Sequence, residues 1–288
     1  KSLQLSGIIC SHTGRYEEGI THLRKLIYHC LVTGKHTDLL GLGYNIIGNI
    51  FQSQGKYQEA AWYYHQTLKL PKENLAESTI GLIYANLSRL THKLKQSDQA
   101  IYYLDRAKQI ATRNNNYDLL CIISSNKGMI YADIDQNDSA MYYLRKAMQQ
   151  IKEHSHRYDL RDIEYTNLTY LADLWLKEGK TDSAAPCIKR IHEIQVPVIP
   201  LYRNKALITT GRYYLQSGNF HLAERYLKNA LDSAQSIHIG NDLPDTHLAL
   251  ADLYTATGRY REALQHKNHY IRLKDSFESR EIANNVHH

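Results

Sequence analysis

The sequence predicts an all-α fold in which paired helices stack into a right-handed superhelix. The 288 residues include only 15 glycines and 5 prolines, so the chain is poor in helix breakers and an all-β architecture is disfavoured. Hydrophobic residues make up 43% of the chain and charged residues 22%, which is typical of a folded protein and not of a disordered tail. A short turn motif also recurs along the whole length at nearly constant spacing, which is the signature of a repeat architecture.

The repeat is centred on a tight turn between two helices. Five copies carry glycine at the turn and two degenerate copies carry another residue: Gly14, Gly55, Lys95, Asp135, Gly179, Gly218 and Gly258. Successive turns are separated by 41, 40, 40, 44, 39 and 40 residues. Five residues after each turn position lies a small residue: Gly19, Ala60, Ala100, Ala140, Ala184, Ala223 and Ala263. This regularity predicts seven structurally equivalent units.

Further positions of the repeat explain how two helices pair. Seven residues before the turn lies another small residue: Gly7, Gly48, Ser88, Gly128, Ala172, Gly211 and Ala251. Nine residues after the turn lies a large one in six of the units: Leu23, Tyr64, Leu104, Leu144, Ile188 and Leu227. Antiparallel helices approach closely where small side chains meet, and large neighbours then fill the adjacent holes. We therefore expect each unit to be a helical hairpin.

The predicted units form a single array over residues 1–288. Their bounds are about 1–34, 41–71, 81–113, 121–153, 165–195, 204–238 and 244–273, followed by a C-terminal capping or exit helix over 274–286. Unit five is the irregular one, because Pro197 and Pro200 cannot continue a helix and Pro186 is tolerated only within the first turn of one. Region 186–200 is therefore either an ordinary ordered loop or a bend between two blocks. Ser183 is the predicted N-cap of the second helix in this unit, which would leave Pro186 in the first turn.

The clearest unit resembles the tetratricopeptide repeat (TPR). It reads Tyr44, Ile47, Gly48, Phe51, Gly55, Tyr57, Ala60 and Tyr64, followed by Pro71. The resemblance extends over essentially the whole chain, with a period of about 40 residues where the standard repeat has about 34. Long-period repeats of this kind resemble those of bacterial regulatory proteins. The segment Leu273-Lys274-Asp275-Ser276 also resembles the exit helix of bacterial membrane-anchored TPR sensors, whose output part is a helix-turn-helix transcription factor or a histidine kinase.

Several classes of activity find no support in the sequence. There is no phosphate-binding glycine loop, no dinucleotide fingerprint and no nucleophile elbow, so we expect no enzyme and no cofactor. No C-x-x-C pair is present and His266 and His269 are expected to be surface residues, so no metal site is predicted. Cys10, Cys30, Cys121 and Cys187 should be free thiols that are mostly buried. No apolar run of about 18 residues predicts a membrane span.

The resemblance implies that the first helices of the units line a concave groove that binds a protein or peptide. The family's exposed groove positions, six and nine to ten residues before the turn and one turn beyond, correspond to Asn45, Asn49, Asn86, Arg89, Lys93, Asn126, Met129, Tyr170, Asp173 and Arg212. A row of amides such as Asn86 and Asn126 could clamp a peptide backbone. Arg89 and Lys93, four residues apart, could hold a carboxylate. This pair resembles part of the clamp of chaperone-binding TPRs, although Asn45 and Asn49 stand where the preceding unit should supply a lysine. The alternative is a solvated polar face without a ligand.

Two functions of different kinds follow. The first is the sensor domain of a bacterial signalling or transcription regulator, which binds a partner in the groove and relays the change through the C-terminal helix, where the chain could also form a homodimer. The alternative is a free-standing scaffold or co-chaperone without an output domain.

The net charge of +6 is spread along the chain and Asp173 alternates with Arg212 in the groove, so no nucleic-acid partner is expected. A sensor of this type would be periplasmic and a scaffold cytoplasmic. The non-methionine start and the final His287-His288 suggest a piece excised from a longer gene product.

Overall fold

A computed structural model of the chain describes residues 6–7, 9–10, 15–196, 200–236 and 243–286. The described residues form thirteen α-helices and no strand, which confirms the predicted all-α class. In chain order the helices are α1 (Tyr16–Thr33), α2 (Thr37–Ser53), α3 (Tyr57–Leu68), α4 (Glu77–Lys93), α5 (Ser97–Arg113), α6 (Tyr117–Asp133), α7 (Asn137–His154), α8 (Arg161–Lys177), α9 (Thr181–Glu193), α10 (Pro200–Gln216), α11 (Phe220–Ser236), α12 (Leu243–Ala256) and α13 (Tyr260–Val286). A 3₁₀ turn over Lys72–Asn74 connects α3 to α4.

The helices pack as consecutive hairpins that form a superhelical array. Each even-numbered helix from α2 to α12 is the first helix of a hairpin and contacts the odd-numbered helix that follows it. The first helices also contact one another in series, α2 with α4, α4 with α6, α6 with α8, α8 with α10 and α10 with α12. They therefore form one continuous inner layer. None of the described helices is both long enough and apolar enough to cross a membrane.

The hairpin turns share one hydrogen-bonding pattern. Gly55, Gly179, Gly218 and Gly258 have φ between 70° and 76°, in the left-handed region that glycine adopts without strain. Lys95 and Asp135 adopt the same conformation, with φ of 58° and 56°. At each of these six turns the next N–H reaches back to a carbonyl five residues earlier at 2.8–2.9 Å, which is the Schellman closure of a helix end. The two degenerate copies of the repeat are thereby confirmed as turns of the same kind.

The backbone of Asp135 is in the left-handed region, which is strained for residues with a Cβ atom and not for glycine. Glycine at this position should therefore stabilise the fold. We expect Asp135→Gly to raise the free energy of unfolding by about 1 kcal/mol. The same substitution three residues later, Asp138→Gly, places glycine inside the first turn of α7 and should lower stability by a similar amount. Urea denaturation followed by circular dichroism measures both. Equal effects of the two substitutions would contradict the assigned turn.

The predicted close crossing of the two helices is present within the hairpins. A Cβ atom built on Gly48 would lie 2.5 Å from the Tyr64 ring, and one on Gly128 would lie 2.6 Å from Cγ of Leu144. Gly211 meets Leu227 in the same way, also at 2.6 Å. The large residues at this repeat position are buried in every unit where they were predicted: Leu23, Tyr64, Leu104, Leu144, Ile188 and Leu227. The free cysteines are confirmed as well, with three buried and Cys187 half-buried.

Unit five differs from expectation at its second helix. Helix α9 begins at Thr181 after Lys180, so the prediction that Ser183 is its N-cap is wrong. The N–H groups of Ser183 and Ala184 already bond to the Lys180 carbonyl, and Pro186 lies inside the helix. Proline there removes only the one bond that its missing N–H would make to the Asp182 carbonyl. Residues 197–199, within the predicted region 186–200, lie outside the described residues. At the other end, α13 continues without a break through the predicted exit helix to Val286.

Candidate partner-binding groove

The first helices converge on two adjoining cavities. The larger has a volume of about 590 Å³ and the smaller about 150 Å³. The side chains that line both come from five successive first helices, α4, α6, α8, α10 and α12: His92, Lys93, Asp133, Tyr170, Lys205 and Asp245. Gln52 of α2 also lines the smaller cavity. A site supplied by six hairpins exists only in the stacked array, so no single repeat carries it.

Two carboxylates are paired with cations on the cavity wall. Asp133 accepts a hydrogen bond from Nζ of Lys93 at 2.9 Å and lies 3.3 Å from Nε2 of His92. Burial alone would raise the pKa of Asp133, but its bonds to His92 and Lys93 outweigh burial and hold the pKa well below its usual range. Asp133 therefore remains ionised at neutral pH and neutralises Lys93 from within the groove.

Asp173 is the second internal carboxylate of the groove. It accepts a hydrogen bond from Arg212 at 3.2 Å and lies 3.7 Å from Nζ of Lys205. Burial raises its pKa, yet the charges of Lys205 and Arg212 prevail and the net pKa is lowered. Lys205 also stands over the Tyr170 ring, 4.9 Å from the centroid, which adds a cation–π contact. Charge pairs thus connect α8 to α10 at Asp173, as they connect α4 to α6 at Asp133.

Arg89 bridges the groove. Its Nη1 donates to the Tyr202 hydroxyl at 2.7 Å, which links α4 to α10 across 113 residues of sequence. Its Nη2 donates to the amide oxygen of Asn86 at 2.6 Å. The third nitrogen, Nε, is enclosed and has no hydrogen-bond partner among the residues that the structure describes. This contact brings hairpins separated by three units together, which shows that the inner layer curls toward itself.

The predicted asparagine row is buried, contrary to the expectation that it is exposed. Asn45, Asn86 and Asn126 are each less than 5% exposed. Asn86 donates to the amide oxygen of Asn45 at 2.7 Å, and Asn126 donates to the carbonyl of Ala85 at 3.0 Å. At this depth neighbouring first helices lie too close for solvent, so each amide must bond to the adjacent helix. The row therefore ties α2 to α4 and α4 to α6.

Of the ten predicted site residues, seven line the two cavities: Arg89, Lys93, Asn126, Met129, Tyr170, Asp173 and Arg212. Asn45 and Asn86 lie in the buried row, and Asn49 accepts a hydrogen bond from the Tyr64 hydroxyl at 2.7 Å. Sequence reasoning missed Asp133, Tyr202, Lys205 and Asp245. A signal existed for Lys205 and Asp245, because both lie thirteen residues before a turn glycine and so occupy the same repeat position. Nothing comparable pointed to Tyr202.

The cavity walls carry more positive than negative charge. Among the described residues that line the larger cavity, the cations are Lys93, Lys95, Lys177, Lys205 and Arg212, and the carboxylates are Asp133, Asp173 and Asp245. The smaller cavity adds Arg89. Within the part of the chain that the structure describes, no three histidine, cysteine or acidic side chains are placed to hold a metal ion. The arrangement can bind polar and anionic groups by charge and hydrogen bonding.

Comparisons with known proteins agree with this architecture. Two family models, both described as tetratricopeptide repeat, match residues 202–276 and 44–76. A relative in Arabidopsis thaliana, kinesin light chain-related protein 1, is 28% identical over 99 residues. That match spans 33% of this chain and only 16% of the relative's length.

Solved structures with the same fold cover nearly all of this chain. Aspartyl phosphate phosphatase F from Bacillus subtilis superposes with a TM-score of 0.65 at 16% sequence identity, and the match includes 93% of this chain and 68% of the phosphatase chain. A Rap protein complexed with competence and sporulation factor superposes with a TM-score of 0.63 at 12% sequence identity, and the match includes 92% of this chain and 81% of the Rap chain. At such low identities these structures bear on the fold alone. The repeated hairpins and the two family matches show that the chain carries tetratricopeptide repeats within residues 44–76 and 202–276, and the superhelical neighbours share its fold.

Proposed function

We propose that this array binds a protein or peptide partner in the groove formed by its first helices, as the sensor region of a bacterial signalling or transcription regulator. The observation that carries the proposal is the convergence of six successive first helices on one pair of adjoining cavities. A ligand held there would contact most of the array at once. Its binding could therefore change how the hairpins stack, and α13 would pass that change to whatever follows.

The groove offers both the polar and the apolar contacts that an extended segment needs. Met129 and Tyr170 contribute apolar surface to the smaller cavity, and charged residues line the larger one. The Rap protein of similar fold was solved in complex with competence and sporulation factor, which supports a signalling ligand for this kind of array. The resemblance to a kinesin light chain-related protein over 99 residues favours the second candidate, a scaffold that assembles other proteins.

The groove can be tested by filling it. Ile134 and Lys177 line the larger cavity. Ile134 is 40% exposed and the Lys177 side chain is 43% exposed, so both positions tolerate a larger side chain. The ligands for this test are peptides selected on the wild-type protein from a random hexapeptide library. We expect the double variant Ile134→Trp, Lys177→Trp to bind them at least tenfold more weakly, which corresponds to a loss of roughly 1.4 kcal/mol or more of binding free energy. Isothermal titration calorimetry measures the affinities.

A matched control carries the same substitutions outside the groove. Ile101 and Lys108 lie on α5, a second helix, and both are exposed. The variant Ile101→Trp, Lys108→Trp should bind the selected peptides like wild type. If both double variants bind equally well, the groove is not the binding site. The regulatory role is tested separately by the gene sequence beyond residue 288: an encoded kinase or DNA-binding domain supports the sensor, and an early stop codon supports the scaffold.

A further inference from the structure

We infer that the outer layer of the array binds an extended, proline-rich segment at a surface separate from the groove. The surface is a row of aromatic side chains on three successive second helices: Trp62 on α3, Tyr102 on α5 and Tyr142 on α7. Each lies seven residues after its turn position, so the three share one repeat position and follow one another along the stack. They are 54%, 57% and 61% exposed. We call these three residues the outer aromatic row.

The packing of the hairpins does not account for these rings. The other four units carry no aromatic residue at this position, where they have Thr21, Pro186, Arg225 and Gln265. Contacts with the first helices are made by the next residue along the chain: Tyr103 stacks on Tyr84 of α4 and Tyr143 stacks on Tyr131 of α6, with ring centroids 5.9 and 5.5 Å apart. An exposed ring that recurs without a packing role marks an interaction surface.

The rings of the row are supported from below. Trp62 lies edge-on against Tyr63, with centroids 4.8 Å apart, and Tyr142 lies edge-on against Tyr143 at 5.0 Å. The supporting rings are themselves half-buried between the two helices of the hairpin. Since the supporting ring limits how each exposed ring can turn, a partner would lose little side-chain entropy on binding.

Charged side chains border the row on both sides. On α5 and α7 a carboxylate lies four residues before the ring and a cation four residues after it: Asp98 with Arg106, and Asp138 with Lys146. All four are exposed. Residues four apart share a helix face, so each helix presents a carboxylate, a ring and a cation in line. On α7 these three side chains line a surface cavity of about 560 Å³. The row therefore has an acidic edge and a basic edge.

The shape of this surface favours an extended partner. The inner layer curls toward itself through Arg89 and Tyr202, so the outer layer is convex. A second copy of this chain or another globular protein would meet a convex row along a narrow line, short of the roughly 1,200 Å² of a stable interface. A membrane with anionic lipids is disfavoured because the acidic edge would face its headgroups. The described residues include no strand, so an extended chain would find no sheet edge to pair with there.

A polyproline II helix satisfies these conditions. It has no internal hydrogen bonds and needs no strand partner, and its three residues per turn lie on three faces. Prolines on one face would stack on the outer aromatic row, a contact that aromatic surfaces commonly make with proline-rich segments. The other two faces would carry a basic residue toward the acidic edge and an acidic residue toward the basic edge. Prolines recur every 9 Å or so along such a helix, so each ring meets one. The inferred partner therefore repeats proline, a basic residue and an acidic residue with a period of three.

The probe is a synthetic peptide of five Pro-Lys-Glu triplets, titrated into the whole protein by calorimetry. Its length as polyproline II is about 46 Å. One first helix separates each pair of neighbouring second helices, so three second helices span about 40 Å at most. We expect saturable binding with a blue shift of tryptophan emission as the Trp62 indole leaves water. Trp62→Phe should still bind and should lose the shift. A peptide of the same composition with its prolines grouped together should bind at least tenfold more weakly.

Exposed tyrosines inside and outside the row provide matched variants. Tyr102→Ala combined with Tyr142→Ala should weaken binding of the Pro-Lys-Glu peptide by at least tenfold. Tyr28 of α1 and Tyr260 of α13 are 71% and 70% exposed and lie outside the row. Tyr28→Ala combined with Tyr260→Ala should therefore bind like wild type. All four tyrosines are exposed, so the folded state tolerates these substitutions, and circular dichroism verifies it.

The charged edges are tested in the same titration. Asp138→Asn combined with Lys146→Gln removes one carboxylate and one cation and leaves the rings in place. This variant should bind the peptide about threefold more weakly and should lose affinity less steeply as salt is added, because fewer charge pairs remain to be screened. An unchanged affinity and salt dependence would overturn the pairing of the edges with the peptide.

Several outcomes would overturn the inference. These are no saturable binding of the Pro-Lys-Glu peptide, equal binding of the peptide with grouped prolines, and wild-type affinity in the Tyr102→Ala, Tyr142→Ala variant. If that variant instead abolishes self-association in the ultracentrifuge, or binding to vesicles of phosphatidylcholine and phosphatidylserine, the row belongs to a second copy or to a membrane. The groove-filling variant Ile134→Trp, Lys177→Trp should bind the proline peptide like wild type, so this inference and the proposed groove function fail separately.

Discussion

Replacing Leu144 by alanine is expected to lower the free energy of unfolding by about 3 kcal/mol, as a large-to-small change in a closed core does. The Leu144 side chain is fully buried and lies over Gly128, so close that a Cβ atom built on Gly128 would be 2.6 Å from its Cγ. Its removal leaves a cavity that the crossing helices cannot close, because the backbone of α6 is already in contact there. Urea denaturation followed by circular dichroism gives the free energy.

The control for Leu144 lies two residues earlier on the same helix. Tyr142 is 61% exposed, so Tyr142→Ala should change stability by no more than about 0.5 kcal/mol. A second-site test asks whether the crossing is the cause. Gly128→Ala in the Leu144→Ala background should restore part of the lost stability, since the added methyl group enters the vacated space, whereas Gly128→Ala alone should be destabilising. Additive effects of the two substitutions would contradict the assigned contact.

The damage from Leu144→Ala should also be local. Each hairpin packs mainly against its sequence neighbours, so an array of this kind unfolds by stretches and does not always unfold as one unit. Hydrogen exchange should therefore accelerate most in α6 and α7 and least in the distant helices α12 and α13. Uniform acceleration over the whole chain would indicate a single cooperative unit.

The sequence alone predicted those features that depend on residues close together in the chain. The turn at Asp135, the crossing of Gly128 with Leu144 and the buried Leu227 follow from positions fewer than twenty residues apart within one hairpin. Such contacts are fixed by helix geometry, so a repeated pattern of small and large residues is enough to locate them. Seven of the ten predicted groove residues line the cavities for the same reason, since a helix face can be read from spacing.

Contacts that depend on the stacking of several hairpins could not be predicted. The link from Arg89 to Tyr202 exists because small rotations between successive units add up until α4 and α10 meet, and no local pattern encodes that sum. The burial of Asn45, Asn86 and Asn126 has the same origin, because it depends on how closely neighbouring first helices approach. His266 was expected at the surface, yet it lies within hydrogen-bonding distance of His247 on the preceding helix.

That pair makes the last hairpin sensitive to acid. Nδ1 of His247 in α12 lies 2.8 Å from Nδ1 of His266 in α13, and the ring of His269 stacks on His247 with centroids 5.0 Å apart. Burial, and after it the neighbouring His266 and His269, lower the pKa of His247 to about 4. The pKa of His266 is lowered too, by burial and then by His269 and Lys228 of α11. The folded state therefore keeps His247 neutral at pH values where an unfolded histidine is already protonated.

Acidification from pH 7.5 to pH 5 is expected to lower the free energy of unfolding through His247 by about 2 kcal/mol. In the unfolded chain a histidine takes up its proton near pH 6.5, whereas folded His247 resists protonation down to about pH 4. The unfolded state thus binds more protons between these values, so the stabilisation is complete above pH 6.5 and is lost as the pH falls. The paired carboxylates Asp133 and Asp173 have lowered pKa values, so their contribution is lost only at pH values below this range.

Denaturation at pH 7.5 and pH 5.0 in three proteins isolates this effect. The variant His247→Gln keeps a polar side chain of similar length without a titrating ring, so its loss of stability on acidification should be about 2 kcal/mol smaller than in wild type. His221→Gln removes an exposed histidine of α11 and should retain the wild-type loss. Because α12 and α13 carry the cluster, hydrogen exchange at pH 5 should be fastest in these two helices. An identical pH dependence in wild type and His247→Gln would mean that the pair of His247 and His266 does not set the acid response. The loss of stability would then arise from histidines elsewhere, such as His192. The pKa of His192 is also lowered, by burial and then by Arg225.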